Sequence, residues 1–451
     1  MIKKRLLAFM VVCAMLFGMT ACGTSGTNDT GGTNGAGGTT GTNNTGGTNV
    51  ASEELQKFDG EYKIGVILPM TGPRASGGQD FKKGMEIGIE MINEKGGVQG
   101  KKLVAIYCDG KDANAGISEA QRLMQIEKVA VITGTYDSTV SYAVSALCEQ
   151  NKTFFMEMAS PADSLLERGF KYMFRMNPTA SAEGAFGVDF ILDKYKELGV
   201  NSPNELKIAL VGVDTVYGAS YYNGVKNRLE EKGIKPVYTE LYAPDVTDLS
   251  SMIMKLKDAK PDATICASSL EDSALLYRQA YELGFNCKVL LGNGAGFGSY
   301  TFYNRFNDLA EYLYCTNYTI KSSPPSTAPG LQSFFERYHN TYGQDPVYVH
   351  MTAQVCQGTL VLGEILNAAK DMNNPDSLVE SALSIDIESG TMVNGWGAKF
   401  AGPGSKLPGQ NICANNLIIS QWQNKELWQV YPIESEGIKI KIPLPSWDER
   451  R

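Results

Sequence analysis

Short apolar runs alternate with segments of helical periodicity along the chain from about residue 60 onward. Residues 62–68, YKIGVIL, form a run typical of a buried strand. In the next segment, apolar and small residues recur on one helical face before a glycine pair ends the pattern: Phe81, Met85, Gly88, Ile92, then Gly96 and Gly97. Further apolar runs follow at residues 101–108, 129–133 and 153–156. This alternation predicts a parallel sheet with helices on both faces.

The same alternation starts again after residues 176–181, MNPTAS. Residues 206–213 and 262–268 are among the apolar runs of this second unit. Later segments, including the helical stretch from His350 to Met372, are too many for the second unit alone, so part of the chain must return to the first. We therefore predict an α/β protein with two doubly wound parallel-sheet lobes joined by a multi-strand hinge. The predicted boundaries are 59–179 with 318–414 for the N-terminal lobe and 180–317 with 415–451 for the C-terminal lobe.

The residues that directly follow the predicted strands are the candidates for a ligand site. Ligands of open parallel sheets bind outside the carboxyl ends of the strands, and two facing sheets place those ends around one cleft. The stretch GTYDSTVSYA, residues 134–143, follows such a strand and begins a helix. Its Ser, Thr and Asp side chains fit helix capping, whereas the free amides of a first helical turn also attract a carboxylate or phosphate. Both interpretations are open at this point.

The N-terminus, MIKKRLLAFMVVCAMLFGMTAC, has three basic residues followed by an apolar core. Because the core is shorter than the ~20 residues that cross a bilayer, residues 1–21 are predicted to be a signal peptide. Residues 19–22, MTAC, resemble the lipobox of bacterial lipoproteins, which implies a lipid on Cys22; an ordinary signal peptide cut nearby is the alternative. Residues 22–58 are mostly Gly, Thr and Asn and are predicted to be a flexible tether. Together these features predict a lipid-anchored domain at the extracellular face of the cytoplasmic membrane, as on a Gram-positive cell surface.

Charge and cysteine content narrow the function classes. The chain carries 41 basic and 49 acidic side chains, and loss of the signal peptide lowers the formal net charge from −8 to about −11. An acidic chain without basic clusters argues against nucleic acid as a partner. Besides Cys13 and Cys22, an odd number of cysteines remains, and we interpret most of them as small buried hydrophobic residues, with one disulfide left open: Cys108, Cys148, Cys266, Cys287, Cys315, Cys356 and Cys413.

Catalysis needs a positioned base, a nucleophile or a metal. The two histidines, His339 and His350, fall in helical segments away from the predicted strand ends, and no Cys/His pair has the spacing of metal ligands. The glycine-rich run GAGFG, residues 294–298, opens no dinucleotide-binding helix. We therefore expect a protein that is not an enzyme and that has neither a cofactor nor a metal site.

Several motifs resemble one family, and in order and spacing they extend over nearly the whole chain after the tether. They are IGVILPMTGP (64–73), INEKGGVQGKKL (92–103), the Gly134/Ser138 loop, RGFKYMFR (168–175), DTVYG (214–218) and YRQAYELGF (277–285). They are similar to the extracellular solute-binding proteins of branched-chain amino acid type ABC transporters, which have the type I periplasmic binding protein fold. The resemblance implies a protein that closes two lobes over a small carboxylate-bearing solute of the branched-chain amino acid or amino-acid-like class. It also implies an ABC permease in the membrane as the partner.

The resemblance assigns roles to five residues. It places the ligand's α-carboxylate on Ser138, with Thr139 beside it. A following loop is expected to offer a carbonyl and a hydroxyl to the carboxylate and the ammonium, and this role falls on Ala159 and Ser160. Tyr217 is expected to close over the ligand from the second lobe.

The chain departs from the family pattern at three places. Gly77 stands where amino-acid binders place an aromatic wall residue. Ser268 and Ser269 stand where they use an aromatic residue in the second lobe, and Ser269 is a candidate ligand contact there. Residues 293–296, Asn-Gly-Ala-Gly, hold no carboxylate where an acidic residue often binds the ammonium, although Asn293 remains a polar candidate. These departures predict a larger and differently polar pocket.

Three residues can compensate for these departures. Tyr136 can stack on a planar ligand, form a new wall, or lie at the rim. Asp137 and Glu157 can each bind an ammonium, amide or hydroxyl, whereas Asp137 can instead cap its helix and Glu157 can instead pair with Arg74 or Arg175. The ligand alternatives are therefore an aromatic carboxylate, an amide or another larger solute, and a surface nutrient sensor is the functional alternative to a transporter component.

Overall fold

A computed structural model describes residues 57–450. The predicted signal peptide, the lipid site Cys22 and the tether up to residue 56 lie outside the described residues. Among residues 57–450, no helix combines the length and the apolar character needed to cross a membrane.

The first sheet has five parallel strands in the order β2-β1-β3-β4-β5. Its strands are β1 (Glu61–Leu68), β2 (Lys102–Asp109), β3 (Val131–Gly134), β4 (Phe154–Glu157) and β5 (Met173–Arg175). The helices that alternate with them are α1 (Ala75–Glu94), α2 (Ala113–Gln125), α3 (Ser138–Gln150) and the short α4 (Ser164–Glu167). Every residue of β3, β4 and β5 is buried, as expected for strands that helices cover on both faces.

The second sheet has seven strands in the order β12-β11-β10-β9-β8-β6-β7. Its strands are β6 (Ile208–Val213), β7 (Tyr238–Tyr242), β8 (Ala263–Ala267), β9 (Val289–Asn293), β10 (Tyr314–Asn317), β11 (Ile418–Gln423) and β12 (Glu426–Tyr431). The helices of this part are α5 (Ala180–Asp193), α6 (Val216–Glu231), α7 (Ser250–Ala259), α8 (Leu270–Glu282) and α9 (Tyr300–Phe306). Strands β6 to β10 pair in parallel, whereas β11 pairs antiparallel with both β10 and β12.

The chain then returns to the first lobe, as the surplus of helical segments predicted. The returning helices are α10 (Leu331–Tyr342), α11 (Val349–Ala368) and α12 (Pro375–Ser384). Helix α11 packs closely on α1: a Cβ on Gly84 would lie 2.5 Å from the Thr352 carbonyl oxygen, and one on Gly88 would lie 2.7 Å from Cβ of Thr359. This close approach explains glycines in the middle of a helix, where they otherwise cost stability.

Connecting segments meet at the junction between the two lobes. The Arg175 amide donates to the Gly409 carbonyl, and the Asn411 amide donates to the Arg175 carbonyl, both at 2.9 Å. The buried Arg175 guanidinium bonds the Gln410 side-chain oxygen at 2.6 and 2.8 Å and the Ala162 carbonyl at 2.6 Å. Arg175 therefore ties the end of β5 to the segment that leads back to β11. The two-lobed α/β fold with a multi-strand hinge is confirmed, and the exact residue boundaries of the lobes stay a prediction.

Candidate functional site

A cavity of about 70 Å³ lies where the carboxyl ends of both sets of parallel strands meet. One water needs roughly 10–15 Å³ of such space, so the cavity suits a small solute rather than a polymer. Most lining residues of the first lobe follow β1, β3 and β4, and most of those from the second lobe lie at or after the ends of β6, β8, β9 and β10. The exceptions include Glu183, His350 and Met351, which lie on helices. The cavity therefore forms at the position that the strand-end rule predicts.

The loop between β3 and α3 begins at a glycine that no other residue can replace. Gly134 has a φ of +132°, and a Cβ there would lie 2.1 Å from the Ile67 carbonyl oxygen. The Asp137 carboxylate accepts from the Thr139 amide at 2.8 Å and from the Val140 amide at 3.2 Å. Asp137 therefore caps α3, as one of the two interpretations of this stretch predicted.

Ser138 lines the cavity at the first residue of α3. Its side chain is buried, and its hydroxyl oxygen has no hydrogen-bond partner among residues 57–450. Buried polar atoms are nearly always paired, so this hydroxyl is available to a ligand. The capping interpretation of this stretch is therefore confirmed for Asp137, and ligand contact by Ser138 stays a prediction.

Tyr136 forms the wall that Gly77 leaves open. A Cβ on Gly77 would lie 2.6 Å from Cε2 of Tyr136, so the ring occupies the space that a side chain at position 77 would need. The ring packs edge-on against Phe81 and Tyr348, with ring centroids 5.0 and 6.4 Å away. Gly77 itself does not line the cavity. The space that Gly77 leaves is thus filled by the protein and does not enlarge the pocket.

Glu157 lies beneath the cavity wall and is fully buried. Its carboxylate accepts from the amides of Thr135, Met158, Ala159 and Ser160 at 2.8–3.1 Å and from the hydroxyl of Ser141. Burial raises the pKa of this carboxyl, and the amide and hydroxyl donors oppose the rise. The amides of Ala159 and Ser160 are therefore already occupied by a carboxylate of the chain itself.

Arg74 pairs with Asp137 rather than with Glu157. Its guanidinium lies 3.2 Å from the Asp137 carboxylate, and both residues line the cavity. Glu157 forms no ion pair with Arg74 or Arg175, so that alternative from the sequence is wrong; the reason is that its own amide donors already surround the carboxylate.

The second lobe contributes Tyr217, Ser269 and Asn293 to the lining. Tyr217 lies in the first turn of α6, and its hydroxyl is 3.4 Å from the Glu183 carboxylate. The Asn293 side-chain oxygen accepts from the Ser268 amide at 3.2 Å. Ser269 begins α8, and its hydroxyl donates to Asp272 at 2.5 Å. All three side chains are thus held in place by hydrogen bonds within the second lobe.

The cavity brings together some of the predicted site residues and leaves others outside. Those that line it are Tyr136, Ser138, Ala159, Tyr217, Ser269 and Asn293. Those that do not are Gly77, Thr139, Glu157 and Ser160. Thr139 is exposed and its amide donates to the Asp137 carboxylate, whereas Ser160 is fully buried beside Glu157.

Sequence reasoning missed Glu183, Asn317 and His350, which also line the cavity. The Asn317 side-chain oxygen and the His350 Nδ1 atom are buried and have no partner within the described part of the chain. Burial lowers the pKa of His350 to about 3, so the ring is neutral at physiological pH. Asn317 ends β10 and could have been found by extending the strand-end rule to that strand. Glu183 and His350 lie on helices, and the strand-end rule applies only to residues at the ends of strands.

The lining offers hydrogen bonds and charge but no cluster of metal ligands. Among residues 57–450, no group of three or more His, Cys, Asp or Glu side chains is placed to hold a metal ion. The available groups are a free hydroxyl, a paired guanidinium, a buried carboxylate and aromatic walls. Such a set can bind and orient a small polar solute.

Known proteins are similar to this chain in sequence and fold. A family model described as "periplasmic binding protein" matches residues 61–423. The chain is 33% identical over 386 residues to a protein from Brucella suis named "Leu/Ile/Val-binding protein homolog 7", which covers 85% of this chain and 94% of that protein. A second relative, from Brucella abortus and named "Leu/Ile/Val-binding protein homolog 8", is 30% identical over 383 residues, or 85% of this chain and 93% of the relative.

Solved structures agree on the fold. A leucine-binding protein from Thermotoga maritima superposes with a TM-score of 0.68 at 22% identity, covering 84% of this chain and all of that one. The branched-chain amino acid transporter substrate-binding protein from Streptococcus pneumoniae, solved with isoleucine, superposes with a TM-score of 0.68 at 17% identity, covering 85% of this chain and all of that one. The family model extends over most of the chain and the relatives match nearly end to end. The chain therefore belongs to the periplasmic binding protein family, and within it to the type I, branched-chain amino acid class.

Proposed function

We propose that the chain is the solute-binding lipoprotein of an ABC importer and that it binds a small carboxylate-bearing solute of the branched-chain amino acid or amino-acid-like class. The observation that carries this proposal is the buried Ser138 hydroxyl, which faces the cavity between the two sheets without a partner among the described residues. The names of the Brucella relatives and the isoleucine bound to the Streptococcus protein support the solute class.

The ligand's carboxylate is proposed to lie between Ser138 and Arg74. The hydroxyl of Ser138 is a free donor, and Arg74 has five N–H donors, of which its contact with Asp137 uses only part. A hydrogen bond between ionised groups is shorter and stronger than a neutral one, particularly in an enclosed site. The amides of Ala159 and Ser160 do not take part, because Glu157 holds them.

The walls of the cavity suit a compact apolar side chain. Tyr136, Val213, Tyr217 and Met351 line it, and Tyr136 fills the space above Gly77. This filling favours an amino-acid-sized solute over the aromatic carboxylate, amide or larger solute that the open position 77 suggested. Those solutes become alternative outcomes of the binding test.

Transport would use the closure of the two lobes. A ligand shifts the equilibrium toward the closed form by its differential affinity, and a membrane permease would recognise that form. In this proposal a lipid on Cys22 and the tether of residues 22–58 hold the domain at the extracellular face of the membrane. A surface nutrient sensor would use the same closure and would differ only in its partner.

Thermal unfolding of the purified protein, after refolding to remove bound solute, tests the solute class. The panel is leucine, isoleucine and valine against benzoate and small aliphatic amides. A ligand at about 100 times its dissociation constant adds about 2.7 kcal/mol to the free energy of unfolding. A shift with the branched-chain amino acids supports the proposal, whereas a shift with benzoate or amides alone replaces the solute class and keeps the binding function. No shift with any solute contradicts the proposal.

A further inference from the structure

Glu183 is a buried carboxylate at the edge of the cavity, in the first turn of α5. Its side chain is only 6% exposed. One carboxylate oxygen accepts from the hydroxyl of Tyr318, and the other lies 3.4 Å from the hydroxyl of Tyr217. Within residues 57–450 it forms no ion pair.

The other two carboxylates near the cavity are already neutralised or enclosed. Asp137 pairs with Arg74 and caps α3, and Glu157 is surrounded by amides beneath the wall. Strand β9 ends at Asn293, and neither Asn293 nor the following Gly294 and Ala295 supplies a carboxylate. Glu183 is thus the one lining carboxylate, among the described residues, that lacks a cationic partner.

Burying an ionisable group without a partner of opposite charge is costly, and buried charges are normally paired. Two tyrosine hydroxyls leave further lone pairs of the carboxylate free, since an ionised carboxyl has about four acceptor positions. Glu183 lies on the second lobe, whereas the free hydroxyl of Ser138 and the Arg74 guanidinium, whose contact with Asp137 uses only part of its donors, lie on the first. A solute with a carboxylate at one end and an ammonium at the other would satisfy both sides.

We infer that Glu183 is the specificity residue of this site and accepts the protonated amine of the ligand. The inference rests on the proposed function and deepens it, since it makes an amine a required part of the solute. The chain then binds the ammonium from a helix, in place of the strand end at residues 293–296.

The surroundings of Glu183 make this role dependent on pH. Burial raises the pKa of Glu183 to about 7, and the two tyrosine hydroxyls oppose the rise. The ionisable groups that face it come from four parts of the fold and are Tyr217 and Tyr221, Tyr318, Arg175 and Asp163. His350, also in the cavity, is neutral above a pH of about 3 and does not titrate in the same range.

The test uses three probes that differ only in their charged ends. They are L-leucine, 4-methylpentanoate, which lacks the amine, and 3-methylbutylamine, which lacks the carboxylate. Calorimetric titration at pH 8 compares the wild-type chain with Glu183→Gln, which keeps an acceptor for the tyrosine hydroxyls. Leucine affinity is expected to fall roughly 30-fold or more in the variant, because the ammonium loses its charged partner. The affinity for 4-methylpentanoate is expected to stay the same.

Two further variants serve as controls. Asp189→Asn removes a carboxylate from the outer face of the same helix, where it pairs with Arg228 at 2.9 Å, and it should leave all three affinities unchanged. Glu183→Asp keeps the charge one methylene shorter and should recover part of the leucine affinity. A purely structural role of Glu183 would weaken the amine-containing and amine-free probes equally.

The outcomes distinguish a failure of the inference from a failure of the proposed function. Equal leucine affinity in wild type and Glu183→Gln overturns the inference and leaves the proposed function standing. If the wild-type chain binds 4-methylpentanoate but neither leucine nor 3-methylbutylamine, the inference is likewise overturned and the proposed function stands. Binding of 3-methylbutylamine but not leucine, lost in Glu183→Gln, supports the inference and removes the carboxylate from the proposed solute. No binding of any probe overturns both.

Discussion

The carboxylates on the two sides of the cavity differ in their hydrogen-bond and ion-pair partners. On the first lobe, Glu157 and Asp137 are surrounded by backbone amides, and Asp137 also pairs with Arg74. On the second lobe, Glu183 has two tyrosine hydroxyls and forms no ion pair within the described residues. The first arrangement stabilises the fold, because each buried polar group has partners. The second leaves an electrostatic cost that a cationic ligand would relieve. The carboxylates of the first lobe are thus compensated by groups of the protein itself, whereas Glu183 is the carboxylate that our proposal leaves to a ligand.

Removal of the Glu157 carboxylate should have the largest effect. In Glu157→Ala, the buried amides of Thr135, Ala159 and Ser160 lose their acceptor, and each unsatisfied group costs about 1–3 kcal/mol. The Met158 amide keeps the Gly134 carbonyl as an acceptor, and the Ser141 hydroxyl keeps neighbouring hydroxyls as partners. After partial relaxation we expect a loss of about 3–5 kcal/mol in the free energy of unfolding, measured with urea. Glu119→Gln, which breaks a surface pair with Arg122, should cost less than about 1 kcal/mol. Equal losses in the two variants would contradict the structural role of Glu157.

Neutralisation of Glu183 should increase the stability of the ligand-free protein, whereas removal of the Glu157 carboxylate should decrease it. The folded protein holds this proton up to a pH of about 7, whereas a free glutamate releases it near 4.5, so the folded state loses stability as the pH rises between these values. At pH 8 the cost is on the order of 3 kcal/mol. Glu183→Gln should therefore raise the melting temperature of the ligand-free protein at pH 8 and leave it nearly unchanged at pH 4.5. A loss of stability at pH 8 would show that the carboxylate is already compensated.

The hydroxyl of Ser138 should matter for binding and not for stability. Hydrogen bonds to charged groups contribute about 1.5–3 kcal/mol, so Ser138→Ala should weaken leucine binding roughly 10- to 100-fold in calorimetric titration. The melting temperature of the ligand-free variant should not fall, because the hydroxyl has no partner in the described chain. Thr139→Ala removes the neighbouring hydroxyl, which is exposed and outside the cavity, and should have a much smaller effect. A larger loss of leucine affinity in Thr139→Ala than in Ser138→Ala would place the ligand's carboxylate on Thr139, the next residue in the sequence.

A methyl group at Gly77 should have the smallest effect of the four changes. The new Cβ would lie 2.6 Å from the Tyr136 ring and force it to move. Overpacking of this kind costs about 1–3 kcal/mol, and the lower end is expected because the contact is a side chain at the cavity wall. In Gly77→Ala, urea unfolding should show this loss, and the preference among leucine, isoleucine and valine should change. An unchanged preference would show that Tyr136 does not shape the site.

The sequence was sufficient for the fold class because apolar periodicity and turn glycines are local signals. The restart of the pattern after residue 176 predicted a second lobe, and the surplus of helices around His350 predicted the return to the first. The strand-end rule placed Ser138 and Asn293 at the cavity, since the end of a strand can be read from the chain itself.

Assignment of roles to individual polar groups failed where the role depends on a side-chain conformation or on packing between distant residues. The amides of Ala159 and Ser160 are adjacent to Glu157 in the chain, but only the rotamer of Glu157 decides that they bind it rather than a ligand. Gly77 and Tyr136 are 59 residues apart, and only packing shows that the ring of one fills the space of the other.

The sequence by itself therefore determined two parallel-sheet lobes, a cleft at their strand ends, and the residue types at those ends. Only the tertiary structure decided which carboxylates are available. Asp137 and Glu157 find donors within their own lobe, whereas Glu183 is brought to the cavity by a helix and meets hydroxyls from α6 and from the segment after β10. The physical reason is that the free energy of a buried charge depends on the groups that surround it in space, and these come from distant parts of the chain.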